Sequence, residues 1–227
     1  MAEGCFGRCS KLEKVNLESI QYIDLSNYHA YDSCLKLRVQ NYQNLINPSG
    51  IVQNNVESAH DYRDSGKGNF FIAPGATDIY LPKFTVLKGG DDDTGRNYHG
   101  WFCGDGWYRK QTGNTNTPAW NMIYLRDVTT VGKGAFCGCD IVNLVINSNT
   151  VPTVVDLQWG QTTSNGKLFE GNHTIQHIYV KPALVNDFKN DTYWGEKASI
   201  IESIENCPRK TAEQVYAGEV GLVEAWM

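Results

Sequence analysis

Glu3-Gly-Cys-Phe-Gly-Arg-Cys-Ser-Lys-Leu-Glu-Lys-Val-Asn-Leu17 is the stretch whose reading decides the fold. Its small or apolar residues stand at Phe6, Cys9, Leu12, Val15 and Leu17, in steps of three, three, three and two. An amphipathic helix steps by three and four, and a half-buried strand by two, so the pattern is neither. It returns at Phe70, Ala73, Ala76, Ile79 and Leu81, and again at Phe169, Asn172, Ile175, Ile178 and Val180. A shortened copy runs Phe136, Cys139, Ile141, Leu144 and Ile146, and a degraded one carries Tyr31, Cys34 and Leu37. An irregular spacing that recurs is the mark of a repeat protein.

Each copy closes on a short β-type run: Val15-Asn-Leu17, Ile79-Tyr-Leu81, Ile123-Tyr-Leu125, Leu144-Val-Ile146 and Ile178-Tyr-Val180. Runs this short cannot bury an apolar face alone. Stacked in parallel, one per coil, they share a continuous core, and the Phe and Cys positions build internal ladders behind them. Gly66-Lys-Gly-Asn-Phe70 and Gly132-Lys-Gly-Ala-Phe136 open two of the coils almost letter for letter. Polar, turn-rich stretches near 43–65, 88–118 and 149–166 read as insertions between coils.

From about Pro182 the spacing stops. Leu184 to Trp194 reads as partly helical and Ile200 to Ile204 as a last strand, which closes a repeat domain over 1–206. Residues 207–227 read as a tail or docking helix capped by Thr211, with two internal glycines against it. At the other end Met1 already occupies an apolar repeat position, so the first coil is expected to stack on another chain or a further repeat.

Composition excludes more than it selects. A net charge of −5 leaves no basic footprint for nucleic acid or an anionic membrane. No apolar run approaches the roughly 20 residues that cross a bilayer. Met1-Ala-Glu-Gly-Cys5 carries no signal-peptide pattern, so the chain is either part of a longer exported protein or not exported. Seven cysteines cannot all pair with one another. Cys9, Cys34 and Cys139 share one repeat position and are expected as reduced core residues.

The repeats resemble the BspA-type leucine-rich repeat, whose unit reads roughly I-G-x-x-A-F-x-x-C-x-x-L-x-x-I-x-L-P. Val131-Gly-Lys-Gly-Ala-Phe-Cys-Gly-Cys139, Gly4-Cys-Phe-Gly-Arg-Cys9 and Leu81-Pro82 carry the likeness. Ile178-Tyr-Val-Lys-Pro182, Trp194 and Ile200 to Ile204 are similar to that family's closing segment. The resemblance implies a leucine-rich-repeat solenoid, α/β to mainly β, with a C-terminal capping segment. It also implies a non-catalytic role in adhesion on bacterial surfaces. The three insertions depart from that regular coil.

Candidate sites follow from strand geometry. The residue between two inward positions points away from the core, which places Asn16, Tyr80, Tyr124, Val145 and Tyr179 in one outer row. The row is either a ladder stabilising neighbouring strands or an exposed aromatic surface for a partner, since Tyr and Trp favour interfaces. On the second reading, Tyr80→Ala with Tyr124→Ala abolishes capture and leaves the fold intact. Trp101 and Trp107 lie in the 88–118 insertion, as a second binding patch or a small private core. Asp91-Asp-Asp93 reads as a solvated acidic turn, one of Cys137 and Cys139 belongs to the repeat core, His173 and His177 fall where the repeat predicts a strand instead of a helix, and no nucleophile–base motif is present.

The expectation is therefore a non-enzymatic module without cofactor, binding a host or bacterial protein or a glycan, at a cell surface or secreted. The alternative is a structural subunit of a phage particle or surface filament, assembling through the N-terminal coil in a virion.

Overall fold

The computed structural model describes residues 11–12, 14–16, 39–41, 77–87, 92–93, 97–98, 119–136, 140–155, 168–169 and 174–208. In chain order its strands are β1 (Lys14–Asn16), β2 (Val39–Asn41), β3 (Thr77–Leu81), β4 (Val86–Leu87), β5 (Asp92–Asp93) and β6 (Asn97–Tyr98). Then follow β7 (Ala119–Leu125), β8 (Thr130–Gly132), β9 (Asp140–Ile146), β10 (Thr153–Val155), β11 (Ile175–Val180), the helix α1 (Val185–Asn190) and β12 (Ile201–Ser203). The large sheet has the order β1-β2-β3-β7-β9-β11-β12, and every pairing in it is parallel.

A second, smaller sheet, β4-β8-β10, is also parallel. Each of β3, β7 and β9 is followed by one strand of this second sheet, so a coil gives one strand to each. Both sheets take their strands in chain order. Two sheets of parallel strands, added coil by coil, make a solenoid-like fold. The turns stack as well: Thr129 N–H donates to Thr85 O at 2.8 Å and Thr153 N–H to Thr129 O at 2.9 Å.

The main core lies between these sheets. Ile79, Ile123, Leu144, Ile178 and Ile201 pair along one rank, and Leu81, Leu125, Ile146 and Val180 along another, all buried. Leu87 and Val131 face them from the small sheet, with Phe84, Val128, Phe136 and Leu168 in the same cluster. Burying a side chain of this size stabilises by about 1.5–3 kcal/mol, which offsets the entropy of ordering short, turn-rich coils.

Three strands keep the repeat's step of three. Trp120 and Ile123, Ile141 and Leu144, and Ile175 and Ile178 all belong to or pack on the main core, three residues apart. Between β3 and β7 the register slips, so that Thr77 pairs with Trp120 but Asp78 with Met122, and Asn121 is the extra residue. Such a bulge turns a step of two into a step of three while the strand continues. The following pair, Ile123 to Leu125 or Leu144 to Ile146, returns to the ordinary alternation.

Phe136 and Phe169, equivalent in the repeat skeleton, stack at 5.7 Å and 19°. Gly134, the second glycine of the Gly-Lys-Gly motif, has φ 73°, which a side chain disfavours. The C-terminal end is sealed by α1 and two flanking 3-10 turns, Pro182–Leu184 and Trp194–Ile200. Phe188 and Trp194 are buried there, edge to face at 5.2 Å, and the Trp194 indole donates to Pro152 O at 3.0 Å. Asp191 Oδ1 accepts from the amides of Tyr193 and Trp194, which fixes the turn after α1.

Thr153–Val155, inside the 149–166 stretch, is the third strand of the small sheet, so this part continues the coil. Asp92–Asp93 pairs antiparallel with Asn97–Tyr98, a hairpin where an acidic turn is expected. The 43–65 stretch, Cys9, Cys34, Cys139 and the 209–227 tail lie outside the described residues.

Candidate functional site

The outer row assembles through the pairing of the large sheet. Asn16 pairs with Asn41, Asn41 with Tyr80, Tyr80 with Tyr124, Tyr124 with Val145, Val145 with Tyr179 and Tyr179 with Glu202. Tyr80 and Tyr124 are adjacent, their rings 4.7 Å apart and tilted by 45°. With Met122 and Val145 they form a second apolar cluster, separate from the main core, that also includes Tyr179.

Of the two readings of the row, burial agrees with the ladder and corrects the exposed aromatic surface. Tyr80 and Tyr124 are 0% exposed and Tyr179 is 3% exposed. Met122 and Val145 are buried beside them. The row exists, and its Tyr80, Tyr124, Val145 and Tyr179 are interior. The physical reason lies in the neighbours: Tyr, Met, Tyr, Val and Tyr make a continuous apolar strip, and a parallel sheet is commonly covered on both faces. Ile204 and Cys207 are partly buried against this strip.

Polar groups run alongside it. Asp78 and Asn143 are buried on the rank that also holds Met122 and His177. The Asn121 amide donates to Asp78 Oδ1 at 3.0 Å, and the Asn143 amide to Asn121 O at 2.9 Å. The bulge residue thus satisfies a buried carboxylate and offers its own carbonyl to the next coil. Beyond the strand ends the buried Asn147 amide donates to the Tyr124 hydroxyl at 3.1 Å. Arg126 clasps Asp127 with two hydrogen bonds, 2.8 and 2.9 Å, and this contact holds its guanidinium above its ordinary pKa.

The row ends at a cluster that alternation alone does not disclose. His177 stacks on Tyr179 at 5.6 Å and 12°, and its Nδ1 lies 2.9 Å from Glu202 Oε1. Burial pushes the Tyr179 phenol pKa up, with further upward contributions from Cys207 and Glu202. His177 stands on a strand, and His173 lies outside the described residues.

Among the described residues no three His, Cys, Asp or Glu side chains converge on one metal position. No helix among them is long and apolar enough to cross a membrane. The side chain of Asn16 and the whole of Trp101 and Trp107 lie outside the described residues. The fold and this face define a solenoid-like protein of stacked parallel strands with apolar clusters on both sides of its large sheet. Comparison with protein-family models, characterised proteins and solved structures gives no match to the chain.

Proposed function

We propose that this chain is a non-enzymatic recognition module of the BspA-type leucine-rich-repeat kind, binding a protein or glycan at a cell surface or after secretion. The observation that supports the reading is the coil architecture. One strand per coil enters the large sheet in chain order, and a step of three followed by two sets the inward residues. Such a stack is a rigid frame that holds loops at fixed intervals along its length.

Recognition falls to those loops instead of the closed tyrosine strip. The 88–118 insertion, with Trp101 and Trp107, is the first candidate, because aromatic anchors on a positioned loop suit both glycan stacking and protein pockets. The test is a binding screen of the intact chain against arrayed glycans and host extracellular proteins, repeated with Trp101→Ala/Trp107→Ala. A ligand that the double variant loses, with circular dichroism unchanged, supports the reading. A screen without any saturable ligand speaks against it.

One observation favours a second reading, a structural subunit of a phage particle or surface filament. Among the described residues β1 is an edge strand of the large sheet, with β2 as its partner. A parallel edge strand is a template for a further coil from another chain. Sedimentation analysis distinguishes the readings: growth with concentration beyond the 25.4 kDa of one chain favours the subunit.

A further inference from the structure

Tyr80, Tyr124, Val145 and Tyr179 are buried within a single chain, so this chain supplies the cover of its own tyrosine strip. Among the described residues, Ile204 and Cys207 are the partly buried apolar side chains packed on that cluster. Both follow β12, which pairs with β11 and so stands at the Tyr179 end of the strip. Tyr80 lies three strands further along the sheet, about 14 Å away at the ordinary spacing of neighbouring strands. The cover therefore has to run along the sheet and not only over its end.

We propose that the tyrosine strip is the docking site of the chain's own C-terminal segment, residues 209–227, laid along it from Tyr179 toward Tyr80. The described residues end at Pro208, next to the Cys207 that packs on the strip. The sequence beyond carries Tyr216, Val220, Val223 and Met227 in steps of four, three and four, the apolar stripe of an amphipathic helix. From Tyr216 to Met227 such a stripe is about 16 Å long, close to the length of the strip. Glu213, Glu219 and Glu224 fall outside the stripe. Gly218 and Gly221 weaken a free helix, but packing on an apolar face is what stabilises most helices of folded proteins.

The tether favours this occupant. A segment joined to the chain beside its dock binds at an effective concentration on the order of millimolar, so a modest apolar contact is enough to hold it. The 88–118 insertion, by contrast, begins beyond β4, a strand of the small sheet, with the main core between that sheet and the strip. The strip itself is made of Tyr, Met and Val side chains and suits an apolar stripe. Its docking keeps a contiguous aromatic face, of the kind that draws other molecules, out of contact with them.

The test is photo-cross-linking in the full chain, with Val223 replaced by benzoylphenylalanine and the cross-linked peptides read by mass spectrometry. Cross-links within one chain to peptides carrying Tyr124, Val145 or Tyr179 are expected. Cross-links confined to other segments, or formed between two chains, overturn the proposal. Nitration of the folded chain by tetranitromethane, followed peptide by peptide at Tyr80 and Tyr124, gives an independent reading. Val223→Asp sets a carboxylate in the contact and is expected to raise that labelling about tenfold, the change in local opening that one lost buried valine supplies. Val215→Asp, off the stripe, is expected to leave it unchanged. Equal labelling of the unmodified chain and Val223→Asp overturns the docking, and so does an equal rise in both variants.

Discussion

Replacing Tyr124 by alanine is expected to damage the fold before it touches any binding. Its ring is fully buried, 4.7 Å from that of Tyr80, and its hydroxyl accepts a hydrogen bond from the buried Asn147 amide at 3.1 Å. Large-to-small changes at buried aromatic positions cost about 3–5 kcal/mol. Tyr80→Ala falls in the same range, and the tilted ring pair adds a coupling of roughly 0.5–1.5 kcal/mol that a double-mutant cycle isolates. Together the two substitutions approach the ~5–15 kcal/mol that holds a typical domain folded. Tyr124→Phe keeps the ring and removes the hydroxyl, so it is expected to cost about 1 kcal/mol. Urea unfolding followed by tryptophan fluorescence and circular dichroism measures all four variants. If Tyr124→Ala cost under about 1 kcal/mol, it would match an exposed cross-strand pair. The strip would then be a surface, and the reassignment of this face to the interior would fail.

Three further outcomes follow from the cap and its neighbours. Trp194→Phe retains an aromatic ring among Phe136, Phe169 and Phe188 but leaves Pro152 O without the indole donor, a loss of about 1–3 kcal/mol. Thermal melting should fall by roughly 2–4 °C per kcal/mol for a chain of this size, and an unchanged Tm contradicts the contact. Gly195→Ala sets a Cβ 2.6 Å from the backbone oxygen of Lys189, so a decrease of about 1–3 kcal/mol is expected, read by the same melting experiment. Tyr179 gives a pH dependence at the alkaline end. Its raised pKa means that the folded state keeps the phenol proton longer than the unfolded state does. That stability is complete below the ordinary tyrosine value of about 10 and is lost as pH rises through the folded value. Urea midpoints at pH 9 and 11 should therefore fall more in the unmodified chain than in Tyr179→Phe; an equal fall contradicts the sign.

The large sheet was legible because its signal is redundant. Ile79-Tyr-Leu81, Ile123-Tyr-Leu125, Leu144-Val-Ile146 and Ile178-Tyr-Val180 each lie in a strand, and the inward residues of each run are buried. Ile201–Ser203 falls within the segment read as the last strand, and α1 within the partly helical one. The small sheet left far less trace. Val86–Leu87 is too short to show any period, and Thr130-Val-Gly132 and Thr153-Val-Val155 resemble the polar turns around them. What places them is stacking on the coil before, which is not a local property. The tyrosine row shows the same limit in another form. Alternation tells which side of a strand Tyr124 occupies, but says nothing of whether that side meets water. A clue was present nonetheless: Ile-Tyr-Leu and Leu-Val-Ile contain no charged residue, as strands covered on both faces commonly do. The His177–Glu202 contact joins strands 25 positions apart and needs the register of β11 on β12 before it can be seen.

Because each strand of the large sheet bonds to the ones entered just before and just after it, length is a free variable of this molecule. Tyr124, Val145 and Tyr179 occupy the same rank on successive strands, so a chain that lost or doubled a coil would still bring equivalent residues face to face. Duplication of one stretch of gene then extends the rod without inventing a new kind of contact. The cap at β12 moves outward unchanged, and any loops carried on the coils are re-spaced in whole coil heights, as marks on a ruler are.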